Sequence, residues 1–380
     1  MSGLNSWRRL RSLVGQKTDF AQTDRTTVAP GASDDRQSPT ASVDSGPLPS
    51  EPPPADPGPP ADPGHLARGE LAVGQLACES APATRLLHER LSAEDIAAIE
   101  QSIRDTPGAW QHYADTADAG AQRQVLLAFG AWLGAEGLTE KTGLLGVQPP
   151  EDVHVMARGP LAAAGGLYEA DLILDALSSA GVEIAEMHSA LDFGCSSGRV
   201  VRVLAAACPG IHWYGCDPNE PAIAWASESL AGIDFFVSED VPPLPLEDSS
   251  LDLIYAISIW SHFAPGLGLR WFDEMHRLLR PDGCLLCTTH GLTSIAHYAI
   301  NELRTVEQSE EIRDSLYRDG HWYAPEFGEK GDWGVVNPDW GTAFLSPEWV
   351  LTQLCPRWRV LEFAPGRNQE NQDVYVLQRA

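Results

Sequence analysis

From residue 189 onward, short continuous apolar runs alternate with amphipathic stretches. The apolar runs cover 189–193, 212–216, 233–237, 251–259, 284–289, 358–364 and 374–378. Between the early ones lie segments of helical spacing at 200–207, 221–230 and 268–279. Strands that read as unbroken apolar runs belong to sheets buried on both faces, so this half of the chain predicts an α/β fold with a mostly parallel sheet. The last two runs are joined by Pro365-Gly366-Arg367-Asn368-Gln369, a turn-rich link, which predicts a closing hairpin with one antiparallel strand.

Upstream, helical spacing dominates. Ser92 followed by Glu94 and Asp95 marks a helix start, with Ile96, Ile99 and Ile103 as its apolar stripe. Further helices are expected over 121–137 and 168–179. Residues 18–79 are rich in Pro, Ala, Asp, Gly and Ser, with too little apolar surface to offset the entropy of ordering. The chain therefore divides into a disordered tail (1–80), a small helical segment (81–160) and an α/β domain (161–380). Trp7 to Val14 form a short basic turn that suits either a surface contact or a frayed start.

Composition narrows the partners. The 380 residues hold 26 Lys and Arg against 53 Asp and Glu, a net charge of −27, which repels phosphate backbones and disfavours nucleic acid. The longest apolar runs fall short of the ~20 residues a membrane span needs. No signal-peptide core is visible at the start, and seven scattered cysteines suit a reduced, cytoplasmic protein.

The chemistry concentrates at Asp192-Phe193-Gly194-Cys195-Ser196-Ser197-Gly198, a strand end, a glycine loop and a helix start. A carboxylate two residues before the first glycine repels a pyrophosphate and favours a cationic ligand. S-adenosylmethionine (SAM), with a sulfonium and an ammonium, is such a ligand. Asp217, at the next strand end, sits at the spacing where an acid meets ribose hydroxyls. Capping the following helix is its other role. Asp240, past the third strand, suits an adenine amino group, with the Val241 N–H for a ring nitrogen; a solvated acidic turn is the alternative. A nicotinamide loop needs glycines where Ser196 and Arg199 stand. Cys284-Leu285-Leu286-Cys287 imitates metal spacing, but residues three apart in a strand face opposite ways, so no metal site is expected.

Together these motifs resemble the class I SAM-dependent methyltransferases over about 160–380. Asp192 to Gly198 is similar to the family's first motif, with Ser196 in place of its middle glycine, and Leu278-Leu279-Arg280-Pro281-Asp282-Gly283-Cys284 resembles its turn into the fifth strand. The resemblance implies a Rossmann-like seven-stranded sheet in the order 3-2-1-4-5-7-6 with the seventh strand antiparallel. It implies a SAM site at Asp192, Gly194, Cys195, Ser196, Gly198, Asp217, Pro218, Asp240, Val241 and Ser258. Four further segments, 257–263, 288–291, 341–346 and 372–377, resemble a bacterial group found beside, or fused to, glycosyltransferases of surface-polysaccharide pathways. That implies a sugar or glycoconjugate acceptor and glycosyltransferase partners.

A sugar hydroxyl is a weak nucleophile and gains from a general base. His262 and His290 follow the two strands beside the glycine loop, and either fits, His290 slightly better because it ends a strand. Each equally suits a loop-bonding role. The insert at about 292–346 offers His321, Trp322, Tyr323, Glu326, Trp333 and Trp340 as sugar-stacking and hydroxyl-accepting groups, or as staples holding a long loop. A small secondary-metabolite acceptor, or a SAM-binding scaffold without turnover, remain the competing readings.

Overall fold

The computed structural model describes residues 81–380, apart from 107, 117, 152, 154–156 and 328–335. The tail expected over 1–80, its basic first turn and Trp333 lie outside the described residues. Strands β1 (Ser189–Phe193), β2 (His212–Asp217), β3 (Ile233–Val237), β4 (Leu251–Ala256) and β5 (Leu279–His290) are parallel neighbours in the order β3-β2-β1-β4-β5. Past β5 run β9 (Gln372–Arg379), antiparallel to it, and β8 (Trp358–Asn368), antiparallel to β9. With the insert strands set aside, this is the expected order 3-2-1-4-5-7-6, β9 standing in the seventh place.

Two short strands of the insert, β6 (His321–Ala324) and β7 (Thr342–Leu345), join at the tip of β5. β4 ends at Ala256, opposite Cys287, while β5 continues to His290. β9 fills the other edge through His290, so the open edge beyond β4 is taken by β7, whose Phe344 pairs with His290. An unpaired edge inside the molecule would leave backbone groups unsatisfied, which is why the insert closes it.

Side chains alternate between two cores, one on each face of the sheet. Ala190, Leu253, Cys284 and Leu286 face one core; Leu191, Ile254, Leu285 and Cys287 face the other. Cys284 and Cys287 thus point to opposite faces. The first core is covered by α1 (Pro82–His88), α2 (Ala93–Arg104), α4 (Ala119–Leu133), α6 (Pro160–Ser179) and α7 (Val201–Ala207). Ile99, Ile103, Leu127 and Leu172 are all fully buried there, so the upstream helices share the core of the sheet. Asp171 of α6 ties them in: it accepts from the Thr84 N–H (2.8 Å), the Thr84 hydroxyl (2.6 Å) and the Gln124 amide (3.1 Å). The second core is covered by α9 (Pro265–Leu278) and α12 (Pro347–Leu354).

Three boundaries differ from the sequence expectation. α6 begins at Pro160, not 168, because Gly165-Gly166, weak in isolated helices, sit where the helix meets the glycine loop. A Cβ on Gly166 would lie 2.5 Å from the Arg199 carbonyl oxygen. β4 stops three residues short of 259, since Ser258 takes a φ of 62° and gives its N–H to the Thr288 hydroxyl at 2.7 Å. The hairpin turns at Gln369-Glu370-Asn371, not over 365–369, because β8 continues to Asn368, which pairs with Gln372.

Candidate functional site

The glycine loop is pinned to the neighbouring strand. Gly194 and Cys195 both donate their N–H to the Cys216 carbonyl (2.9 and 3.0 Å), and the Ser196 N–H donates to Asp217 Oδ2 at 2.8 Å. The other oxygen of Asp217 accepts from the Asn219 N–H at 2.9 Å. Ser196 has a φ of 49°, the left-handed region that a glycine occupies freely, so the serine follows a glycine path. Gly194 has a φ of 84°, and a Cβ there would lie 2.2 Å from Ile259 Cδ1. The sharp turn and the close approach both require glycine.

Of the ten cofactor-site residues expected from sequence, eight line one cleft: Asp192, Gly194, Cys195, Ser196, Asp217, Pro218, Asp240 and Ser258. Gly198, with a φ of 72°, shapes the loop beneath it. Val241 does not line the cleft, and its side chain stands 40% exposed. Asp192 is only 4% exposed, and its Oδ2 has no hydrogen-bond partner among the described residues. Burial pushes its carboxyl up to about 7; the Tyr255 hydroxyl beside it and the Arg199 guanidinium pull the other way. Asp240 is also shifted upward, by burial and then by the charge of Glu239.

Sequence reasoning missed a second buried acid. Glu169 of α6 lines the same cleft, is 4% exposed, and has an Oε2 without a partner. Burial pushes it up to about 7 as well, with Arg199 opposing. Its signal lay in Gly165-Gly166 one turn earlier, a pair that lets α6 approach the loop.

Beyond the loop, the cleft is walled by residues 257–259, by His262 and Phe263, by Trp340, and by the β8–β9 turn. His262 lines it, and its Nδ1 lies 2.7 Å from the Gly341 carbonyl. A carbonyl only accepts, so Nδ1 carries a proton. The Trp340 ring packs on the imidazole, centroids 4.8 Å apart.

His290, the other candidate base, is placed differently. It ends β5 as foreseen, but at 1% exposure it lies beneath the cleft and does not line it. Its Nδ1 faces the Ala343 carbonyl (3.2 Å), and its Nε2 faces the Tyr298 hydroxyl (3.4 Å) and the Gln372 amide (3.3 Å). The strands on both edges of β5 bury it.

Of the five described acceptor candidates in the insert, four also lie elsewhere. His321 sets Nδ1 on the Asp319 carbonyl (3.1 Å), Trp322 donates to Glu311 (3.1 Å), and Tyr323 donates to the Pro338 carbonyl (2.8 Å). Glu326 holds both nitrogens of Arg304 (2.5 and 2.6 Å) and accepts from the Thr342 hydroxyl (2.7 Å). These four staple the insert and do not line the cleft; Trp340 does.

Residues 190–283, the span from β1 into β5, match a family model described as a methyltransferase domain. Over that span the chain is similar to methyltransferase domains. Similar solved structures include a SAM-dependent methyltransferase from Methanosarcina mazei, 21% identical, with 50% of this chain and 92% of that one covered and a TM-score of 0.35. One from Mesorhizobium loti is 16% identical, with 55% and 98% covered and a TM-score of 0.37. One from Aquifex aeolicus is 15% identical, with 54% and 88% covered and a TM-score of 0.35.

The lining fits the charge of SAM, the cofactor that the sequence resemblance implies. Five acids (Glu169, Asp192, Asp217, Glu239 and Asp240) face two arginines (Arg199 and Arg202) around the cleft. The orphaned Asp192 Oδ2 and Glu169 Oε2 are buried acceptors that a cationic, donor-bearing ligand satisfies and a pyrophosphate does not. When bound, SAM supplies a methyl group already activated by its sulfonium. No helix among the described residues is long and apolar enough to cross a membrane.

Proposed function

We propose that this methyltransferase transfers the methyl group to an acceptor hydroxyl, on a sugar or glycoconjugate, with His262 as the general base. In this proposal Asp217 receives the ribose hydroxyls, Asp240 meets the adenine end, and Asp192 and Glu169 favour the cationic end of SAM. The observation that carries the base assignment is the 2.7 Å contact from His262 Nδ1 to the Gly341 carbonyl, which sets the tautomer in a residue that lines the cleft. The imidazole is held from one side by Trp340 and lies 5.9 Å, centroid to centroid, from Phe327. Held this way, Nε2 removes the hydroxyl proton as the oxygen attacks, and the protein otherwise aligns the acceptor and excludes water. The proposal extends to a cytoplasmic enzyme working beside glycosyltransferases of surface-polysaccharide synthesis, as the sequence resemblance implies.

The test is methyl incorporation from labelled SAM into nucleotide sugars, glycans and small aromatic acceptors. Label on sugars is the expected result, with His262→Ala lowering kcat about a hundredfold or more while SAM still binds. Label only on small aromatics refutes the sugar acceptor. SAM binding without turnover on any acceptor refutes catalysis.

A further inference from the structure

The β8–β9 turn carries a run of amides, Asn368-Gln369-Glu370-Asn371-Gln372, that the proposed methyl transfer does not use. Asn368, Gln369, Asn371 and Gln372 all line the cleft, on the wall shared with Ser258 and His262. Asn368 is 4% exposed, Asn371 1% and Gln372 2%. Amides buried this deeply need partners for both ends.

The hydrogen-bond network orients the side-chain amides of Gln372 and Asn368. His290 donates Nδ1–H to the Ala343 carbonyl, and in the neutral ring Nε2 is then an acceptor. Gln372 Nε2 faces that atom at 3.3 Å and donates to the Ser258 hydroxyl at 2.7 Å. Gln372 Oε1 therefore accepts, from the Thr288 hydroxyl (2.7 Å) and from Asn368 Nδ2 (3.3 Å). With its nitrogen committed to Gln372, Asn368 turns Oδ1 the other way. That oxygen has no partner among the described residues, nor have Gln369 Oε1 and Asn371 Oδ1. The turn itself is anchored: the Ser294 hydroxyl donates to the Asn371 carbonyl (2.7 Å), and the Gln369 N–H donates to the Tyr168 hydroxyl (3.1 Å). Three neutral acceptors thus stand on an anchored turn with no donor to them among the described residues.

We infer that Asn368, Gln369 and Asn371 form a hydroxyl-reading subsite for the acceptor, each side-chain oxygen taking one donor from neighbouring hydroxyls of a pyranose ring. This rests on the sugar reading of the acceptor and deepens it. Neutral amide oxygens suit neutral hydroxyls, whereas the carboxylates that suit a cation lie around the glycine loop. A flat phenol offers one donor and leaves two buried oxygens unsatisfied.

The test titrates methyl pyranosides and their single-deoxy forms into the full chain saturated with S-adenosylhomocysteine, followed by saturation-transfer NMR. The expected result is binding of a pyranoside that weakens about tenfold when one ring hydroxyl is removed, and about tenfold in Asn371→Leu and Asn368→Leu. Unchanged affinity for S-adenosylhomocysteine in these variants shows that they fold. If they do not fold, the deoxy series on the wild-type chain decides alone. Pyranosides that bind equally well with or without each hydroxyl, or equally to both leucine variants, overturn the subsite and leave the sugar acceptor standing. A wild-type chain that binds no pyranoside overturns the sugar reading, and the subsite with it.

Discussion

Asp192→Asn is expected to stabilise the protein and to weaken SAM binding, and the two effects come from the same atoms. The carboxyl is buried beneath the glycine loop, and its folded-state pKa lies at about 7 against an ordinary 3.8. Between those values the unfolded chain has released a proton that the folded chain retains. Stability therefore falls as pH rises through this window, at about 1.4 kcal/mol per pH unit, and levels off above the folded value. A gap of about three units amounts to roughly 4 kcal/mol by pH 8. Asparagine has no proton to lose, and every other titrating group is common to both proteins, so the difference between them isolates Asp192. Urea denaturation of both proteins at intervals from pH 4 to pH 8 measures it. The asparagine variant should gain on the wild type across the window by an amount of order 4 kcal/mol, while calorimetry shows SAM binding weakened tenfold or more, on the order of a lost charge-assisted contact. A stability difference that does not change with pH refutes the buried-carboxyl argument. Undiminished SAM affinity refutes the role of that carboxyl in the site.

Three further outcomes are expected. SAM binding near pH 7 should release protons, because a cationic ligand lowers the raised carboxyls of Asp192 and Glu169; calorimetry in two buffers of different ionisation enthalpy measures the release, and identical heats contradict it. Gly194→Ala, with its new Cβ 2.2 Å from Ile259 Cδ1 and a φ of 84°, should lower SAM affinity at least about tenfold, given a left-handed cost of about 1–2 kcal/mol plus the clash. Adding Ile259→Ala should restore part of that affinity, and no loss in the single variant refutes the packing argument. Asp171→Ala strands the Thr84 N–H, the Thr84 hydroxyl and the Gln124 amide, and should cost about 3 kcal/mol or more in chemical denaturation. A cost near zero would show that the upstream helices do not unfold with the sheet.

The apolar runs determined the sheet. A strand buried on both faces writes itself as a continuous run, so β1 and β3 have the bounds read from sequence, and the acids Asp192, Asp217 and Asp240 fall at three neighbouring strand ends. The glycine loop was equally legible, because its turn is set by local backbone chemistry. What the sequence did not determine is which side chains, among those that strand ends and the insert bring near, reach the cleft. His262 and His290 look alike in sequence, each following a strand beside the loop. The tertiary structure separates them through strand length: β4 stops at Ala256, so the chain beyond it folds over the cleft, while β5 runs on and buries His290 between β7 and β9. His321 and Trp322 bond to α11 (Val306–Asp319) and Tyr323 to the Pro338 carbonyl, pairings between segments that periodicity does not record. Glu169 and the amides of the β8–β9 turn reach the cleft through the close approach of α6 and the true position of the turn. Local pattern encodes burial and turns; contact between remote elements decides which buried group meets the ligand.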